Sequence, residues 1–429
     1  MNAELVAAPA NGALRRWRDP ANRMLTADIF AILTALALPW STSLVAIFML
    51  CWLAAAAWIL DYKTYFQLLR LPICYLPIAL FVLAAVGTLW SDAAWDARLY
   101  AIGPVVKFLV LPGLFCHFAR SNRGIWVFIA FLLSCSLLMA VSWIVVLNPA
   151  ITLKTEDAQR GIFVKNYIDQ SQEFALCAVA LALPIAMLLR EKRIWLAALL
   201  TTVSLGFAIN MALVIVSRTA LVTMPFMLAV FAVLHLKWRS NLAIFCAAAL
   251  LAGVAWTVSP QLRQTTERFS RDYQIYREFG QPTSIGMRLE FWQKSLHFFA
   301  GAPLIGHGTG STRGLFEEAA TAPKALAAGQ VIGNPHNQTL NVAVQWGLVG
   351  VALLFAMWWC HLLLFRGDGL VPWIGLLVVV QNIFTSLFNS HLFDFHEGWM
   401  YVLGAGVAGG MILGMRERAS SALSGSGPS

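Results

Sequence analysis

The sequence predicts an all-α polytopic membrane protein with about twelve transmembrane helices and one large helical outer loop. Three observations predict it. Of the 429 residues, 59% are hydrophobic and only 12% are charged, where soluble chains carry about 25% charged residues. The mean hydropathy is +0.70. The charges cluster between apolar runs, many of which reach the roughly 20 residues that cross a bilayer.

The runs lie at 24–40, 41–60, 71–90, 100–119, 124–147, 173–190, 194–216, 219–236, 242–258, 340–365, 370–388 and 397–415. The first two part at Pro39-Trp40-Ser41-Thr42. No cleavable signal peptide is expected, because the first run continues into a second. The chain then divides into an N-terminal bundle of about nine spans (1–258), a loop region (259–339), three C-terminal spans (340–415) and a tail (416–429). The Ser/Gly-rich end, Ala419–Ser429, reads as disordered.

Basic residues set the expected orientation. Arg15, Arg16, Arg18 and Arg23 precede the first span. Lys63 and Arg70, Arg120 and Arg123, Arg190, Lys192 and Arg193, Lys237 and Arg239, Arg366, and Arg416 and Arg418 recur at alternate connections. With twelve spans they share one side, the cytoplasm, together with both termini. The net charge of +9 then reflects inner-side anchors, and no nucleic-acid partner is implied. The seven cysteines all fall in apolar runs, so no disulfide is expected. No Cys/His spacing suits zinc, and no phosphate loop or dinucleotide fingerprint is present.

Polar sequence gathers on the opposite side. A first segment, 148–172, carries Lys154, Arg160 and Lys165. A second, 259–339, is too long to be structureless. Within it, Ile285, Leu289, Trp292, Leu296 and Phe299 form an apolar stripe at helical spacing. Thr283 and Ser284 can cap that helix, and Gly301 and Pro303 end it. Pro260–Phe279 also reads as amphipathic, with Leu262, Phe269, Tyr273 and Tyr276 on one side.

Chemistry-bearing residues sit at this boundary. His336, in Asn334-Pro335-His336-Asn337-Gln338-Thr339-Leu340, stands where the long segment meets a span. It is either a capping histidine or a titratable base. Arg288 falls near a helix N-terminus, where anions are favoured, and is either a flanking residue or an anion ligand. Arg218 follows Ser217 between two spans. Lys107 lies inside the fourth span, where a lysine either faces a cavity or partner or snorkels. Gly306-His307-Gly308-Thr309-Gly310 is a tight turn or a backbone nest for phosphate. Asp394 is the main acid of the last outer loop, either solvated or functional. Fixed cations and a base at a lipid–water boundary suit chemistry on a lipid-linked anion.

Together these phrases resemble the O-antigen ligase and polymerase superfamily of bacterial envelope glycosyltransferases. Ser217-Arg218-Thr219 is similar to its Ser-Arg motif, and Arg288-Leu289-Glu290-Phe291-Trp292 to its arginine-bearing loop helix. Pro303–Gly310 resembles its glycine turn. His336-Asn337, followed by Leu340, Gly347 and Gly350, resembles its His-Asn signature. Arg160-Gly161 and Lys165-Asn166 fit a looser pattern.

One dominant outer loop looks like a ligase rather than a polymerase. The resemblance implies a GT-C-like fold in the bacterial inner membrane with its active site facing the periplasm. It also implies transfer of O-antigen polysaccharide from undecaprenyl pyrophosphate to lipid A–core oligosaccharide, inverting, with no metal and no cofactor. His336, Arg288 and Arg218 become the expected catalytic residues. Arg160, Lys165, Lys107, Asn337 and Asp394 become the expected substrate-binding residues. Two alternatives stay open: a polymerase of the same superfamily, and a transporter of lipid-linked oligosaccharide. A transporter would more often show internal repeats, and none is visible.

Overall fold

The computed structural model describes residues 19–425, apart from 216, 236–237, 259, 321 and 324. Within 218–266 and after 422, several side chains also lie outside the described residues, those of Arg218 and Leu262 among them. Arg15, Arg16, Arg18 and Lys237 of the basic set fall outside as well.

The described chain is helical, with no strand among its residues. A helix covers every apolar run of the sequence. Among the described residues, six helices are long and apolar enough to cross a membrane: Trp95–Arg120, Gly124–Leu147, Tyr167–Arg190, Ile194–Ile215, Gln338–Leu364 and Phe395–Ala422. A seventh arises if Thr42–Ala57 and Tyr62–Leu68, bent by 116°, count as one broken span. Pro72–Val86 and Leu370–Thr385 are apolar but shorter. The chain is therefore a polytopic membrane protein.

Two boundaries differ from the hydropathy reading for a physical reason. The helix expected at 173 begins at Tyr167, capped by the Asn166 side chain. Its first turns carry Asp169, Gln170, Gln172 and Glu173, all buried. Buried polar residues look like loop to a hydropathy scale. At the other end, the Phe395–Gly425 helix runs through most of the segment expected to be disordered.

Small residues place that last helix in the core. It packs on Leu111–Arg120. A Cβ on Gly406 would meet Leu114, on Gly409 Phe115, on Gly410 Phe118, and on Gly414 the backbone of Ala119. Gly-rich faces let membrane helices approach closely where no hydrophobic force separates helix from lipid. The 395–425 helix is thereby fixed, and the loop leading into it, 386–394, is held at one end of the bundle.

The described residues of 259–339 form three α-helices, Pro260–Phe279, Ser284–Gly301 and Thr312–Glu318. Thr283 caps the second, as expected, its side chain accepting from the Gly286 amide at 3.2 Å. The buried face is not the expected stripe. Phe291, Ser295 and Phe298 are buried, with Phe291 and Phe298 packing on Phe316 and Val344. Leu289 and Leu296 are exposed. The helix is apolar on two sides, and periodicity alone selected the outward one. Phe269 and Tyr273 of the first helix are likewise exposed, whereas Tyr276 packs against Gly286.

On the orientation expected from the basic residues, Arg313, exposed on the third helix, faces the periplasm. A single cysteine at position 313, in a background with the native thiols replaced, should react with an impermeant maleimide in cells whose inner membrane is intact. Reaction only after that membrane is opened would reverse the orientation.

Candidate functional site

The glycine turn docks the loop region onto the bundle. Gly306, Gly308 and Gly310 have φ of 67°, 88° and 83°, a left-handed conformation that glycine adopts without penalty. The His307 and Gly308 amides donate to the carbonyls of Val344 and Gln345, both at 2.9 Å. Thr309 donates to the Gly87 carbonyl at 3.0 Å, and Gly310 to Gln345 Oε1 at 2.8 Å. These amides face protein acceptors, so the turn is a staple and not a phosphate nest. It meets the Gln338–Leu364 helix at Gly347, whose φ of 59° and ψ of −154° break the helix there.

His336 sits just before that helix. Its φ is 53°, uncommon for a residue with a Cβ. The conformation is held by Asn334, whose Oδ1 accepts from the His336 amide at 3.0 Å and from Ser390 Oγ at 2.7 Å. The imidazole stacks on Phe291, with ring centres 6.2 Å apart. Its Nδ1 lies 2.8 Å from Asn389 Oδ1. Asn389 Nδ2 in turn donates to Asp394 Oδ2 at 2.7 Å. Among the described residues, Nε2 of His336 has no protein hydrogen-bond partner.

Arg288 reaches the same place from the Ser284–Gly301 helix. It stands one turn before Phe291, on the same helix face. Partial burial lowers the pKa of His336, and the Arg288 charge lowers it further. The Asn389 hydrogen bond and the Asp394 carboxylate oppose this without reversing it. The resting ring is thus a neutral base beside a guanidinium.

The loop 386–394 closes the site. His391 is buried, with Nδ1 3.2 Å from Asp394 Oδ2 and 3.4 Å from Glu397 Oε1. Burial alone would lower its pKa, but the two carboxylates override it and push it up to about 10. A cavity of about 380 Å³ opens here, lined by Asn166, Asp169, Asn389, His391, Asp394 and Glu397, among others.

The remaining expected site residues fall elsewhere. Lys165 is buried, paired with Glu173 at 3.2 Å and donating to the Leu38 carbonyl. It braces two helices and does not face the cavity. Lys107 is also buried, donating to the carbonyls of Phe393 at 3.3 Å and Asp394 at 2.5 Å. Its Nζ clamps the loop that carries Asp394. The close approach needs Gly398, where a Cβ would strike the lysine. Asn337 caps the Gln338–Leu364 helix and donates to the Leu387 carbonyl at 3.2 Å. Arg160 lies over Tyr167, 4.3 Å from the ring centre, and is partly exposed. Arg218 opens the Arg218–His235 helix directly after buried Ser217, and its side chain lies outside the described residues. Sequence reasoning missed Asn389, Asn334 and His391. The polar run Asn389-Ser390-His391 between two apolar helices was the available signal.

His391, Asp394 and Glu397 bring ligand atoms within 4.8 Å of one another, a set that could hold a metal. The protein supplies its own cation and donors to this set. His391 is an imidazolium at neutral pH, Lys107 donates to the Asp394 carbonyl, and Asp394 Oδ2 already accepts from Asn389. Turnover is therefore expected to survive excess EDTA. A loss restored by magnesium or manganese would give these three residues a metal-binding role.

Residues 203–355 match the family model of the O-antigen ligases. No curated protein matches the chain. The matched stretch contains Arg218, Arg288, the glycine turn and His336, and ends before Asn389 and Asp394. It supports membership of the O-antigen ligase superfamily.

Proposed function

We propose that this chain, which matches the O-antigen ligase family model over residues 203–355, is a ligase of that superfamily, moving O-antigen polysaccharide from undecaprenyl pyrophosphate to lipid A–core oligosaccharide. The reaction takes place at the periplasmic face of the inner membrane, within a bundle of about twelve spans. The observation that carries the reading is a half-buried imidazole near the head of a membrane helix, within the field of Arg288, whose Nε2 meets no protein hydrogen-bond partner among the described residues.

The donor sugar leaves from a diphosphate whose negative charge grows as the bond breaks. Arg288 and Arg218 hold that diphosphate through planar, permanently charged forks and stabilise the leaving group. Nε2 of His336 takes the proton of the acceptor hydroxyl as its oxygen attacks the anomeric carbon from the opposite side. Attack opposite the leaving group inverts the anomeric centre. The arginines carry the charge that a divalent ion would otherwise carry. Arg160, half-exposed on the neighbouring segment, can extend the cationic surface toward the donor.

Deletion of the gene followed by lipopolysaccharide electrophoresis tests the assignment. Loss of polymer-capped core with intact lipid-linked polymer is the expected result. Core capped by a single repeat would make the protein a polymerase instead.

A further inference from the structure

The half-buried polar groups beside His336 form an ordered chain that the transfer mechanism above does not use. Asp394 ends it. Its Oδ2 accepts at 2.7 Å from the NH₂ of Asn389. That fixes which way the Asn389 amide points. Its Oδ1 must then face the other way, toward His336 Nδ1 at 2.8 Å and Asn334 Nδ2 at 3.2 Å. An amide oxygen only accepts, so His336 carries its proton on Nδ1. The second nitrogen of a neutral imidazole is then a lone pair. The loop holding Asn389 and Asp394 is itself pinned, by Lys107 on the Phe393 and Asp394 carbonyls and by Ser390 between Asn334 and Asn341.

We propose that Asn389 is a positioning residue for the transfer: oriented by Asp394, it locks His336 in the Nδ1–H form and so makes Nε2 the proton acceptor. The inference rests on the reading of His336 as the base. Without the amide oxygen the ring is free to carry its proton on Nε2, and in that form it cannot accept one there. A hydrogen bond from Nδ1–H also favours the imidazolium that forms during transfer.

The charged groups facing His336 are Arg288, from the Ser284–Gly301 helix, and Asp394 and His391, from the loop before the last helix. All three are retained when Asn389 alone is changed, so a shift in the pH profile reports the lost hydrogen bond. Asn389→Ala removes the acceptor. Its plateau turnover should fall by about 10–100-fold, part of the total effect of a general base, with the KM for donor little changed. Its acid limb should move to lower pH, because a contact that stabilises the imidazolium is gone. Asn389→Asp keeps an oxygen toward Nδ1, whether or not the new carboxyl shares a proton with Asp394. It should keep most of the turnover, with an acid limb at or above that of the wild type.

Purified full-length protein in detergent, with lipid-linked donor and acceptor, gives both profiles. An acid limb lowered in Asn389→Ala and not lowered in Asn389→Asp supports the relay. A lower plateau with an unmoved acid limb in Asn389→Ala, or the same shift in both variants, overturns it. If His336→Ala abolishes transfer while Asn389→Ala behaves as wild type, only the relay fails. If His336→Ala retains transfer, the base itself is wrong and the relay falls with it.

Discussion

His336→Ala should lower turnover by about 10²–10⁴-fold, the usual contribution of a positioned proton acceptor, while donor binding is largely kept. The split follows from the geometry. The groups assigned to the diphosphate lie on the Ser284–Gly301 and Arg218–His235 helices, apart from the segment that carries His336. His336 meets Phe291 by stacking and Asn389 by one hydrogen bond. Its removal leaves a gap at a half-exposed edge rather than in the core, so the variant should fold. Turnover with saturating donor and acceptor, beside equilibrium binding of the lipid-linked donor, separates the two effects. Equal losses in binding and turnover would make His336 a substrate ligand and not a base.

Arg288→Ala should cost about 10²–10³-fold in turnover, or about 2.7–4 kcal/mol, the effect of losing one transition-state donor. Arg288→Lys should recover only part of it. A lysine keeps the charge but loses the planar fork that meets two phosphate oxygens at once. A second consequence follows from proximity. Arg288 lowers the pKa of His336, so its removal lets the imidazole hold its proton to higher pH. The acid limb of Arg288→Ala should therefore move up, and that of Arg288→Lys should stay near the wild type. Near-normal turnover in Arg288→Ala at normal expression would leave the arginine as an interfacial anchor.

Much of the bundle was legible in the sequence, because hydropathy over some twenty residues has few other causes. What it obscured were helix ends made of buried polar residues. Asp169–Gln172 read as loop because a partner that allows burial, His396 for Asp169, comes from the far end of the chain. The stripe on Ser284–Gly301 misled for the opposite reason. Apolar residues on two faces satisfy periodicity equally, and only the packing of Phe291 and Phe298 on Phe316 chooses between them.

At the site, His336 and Arg288 stood out by type and position. Lys107 and Lys165 stood out for the same reason, yet each is spent on carbonyls or a carboxylate inside the protein. A charge in an apolar run marks a partner, and the sequence does not say whether that partner is a substrate or a loop. Asn389 carried no such mark. Its place depends on a hydrogen bond to His336 across 53 positions, and no local pattern encodes that distance.

The most direct measurement is the pH profile of turnover for the wild type and His336→Gln, both in excess EDTA. Wild-type turnover should fall at acid pH along a limb below about 6.5, the reference value for histidine, because burial and Arg288 both lower the pKa of the ring. Glutamine can accept a hydrogen bond but is a very poor base, so His336→Gln should lose turnover by orders of magnitude and lose that limb. Retention of most of the wild-type turnover in His336→Gln, with the acid limb unchanged, would show that another group takes the acceptor's proton.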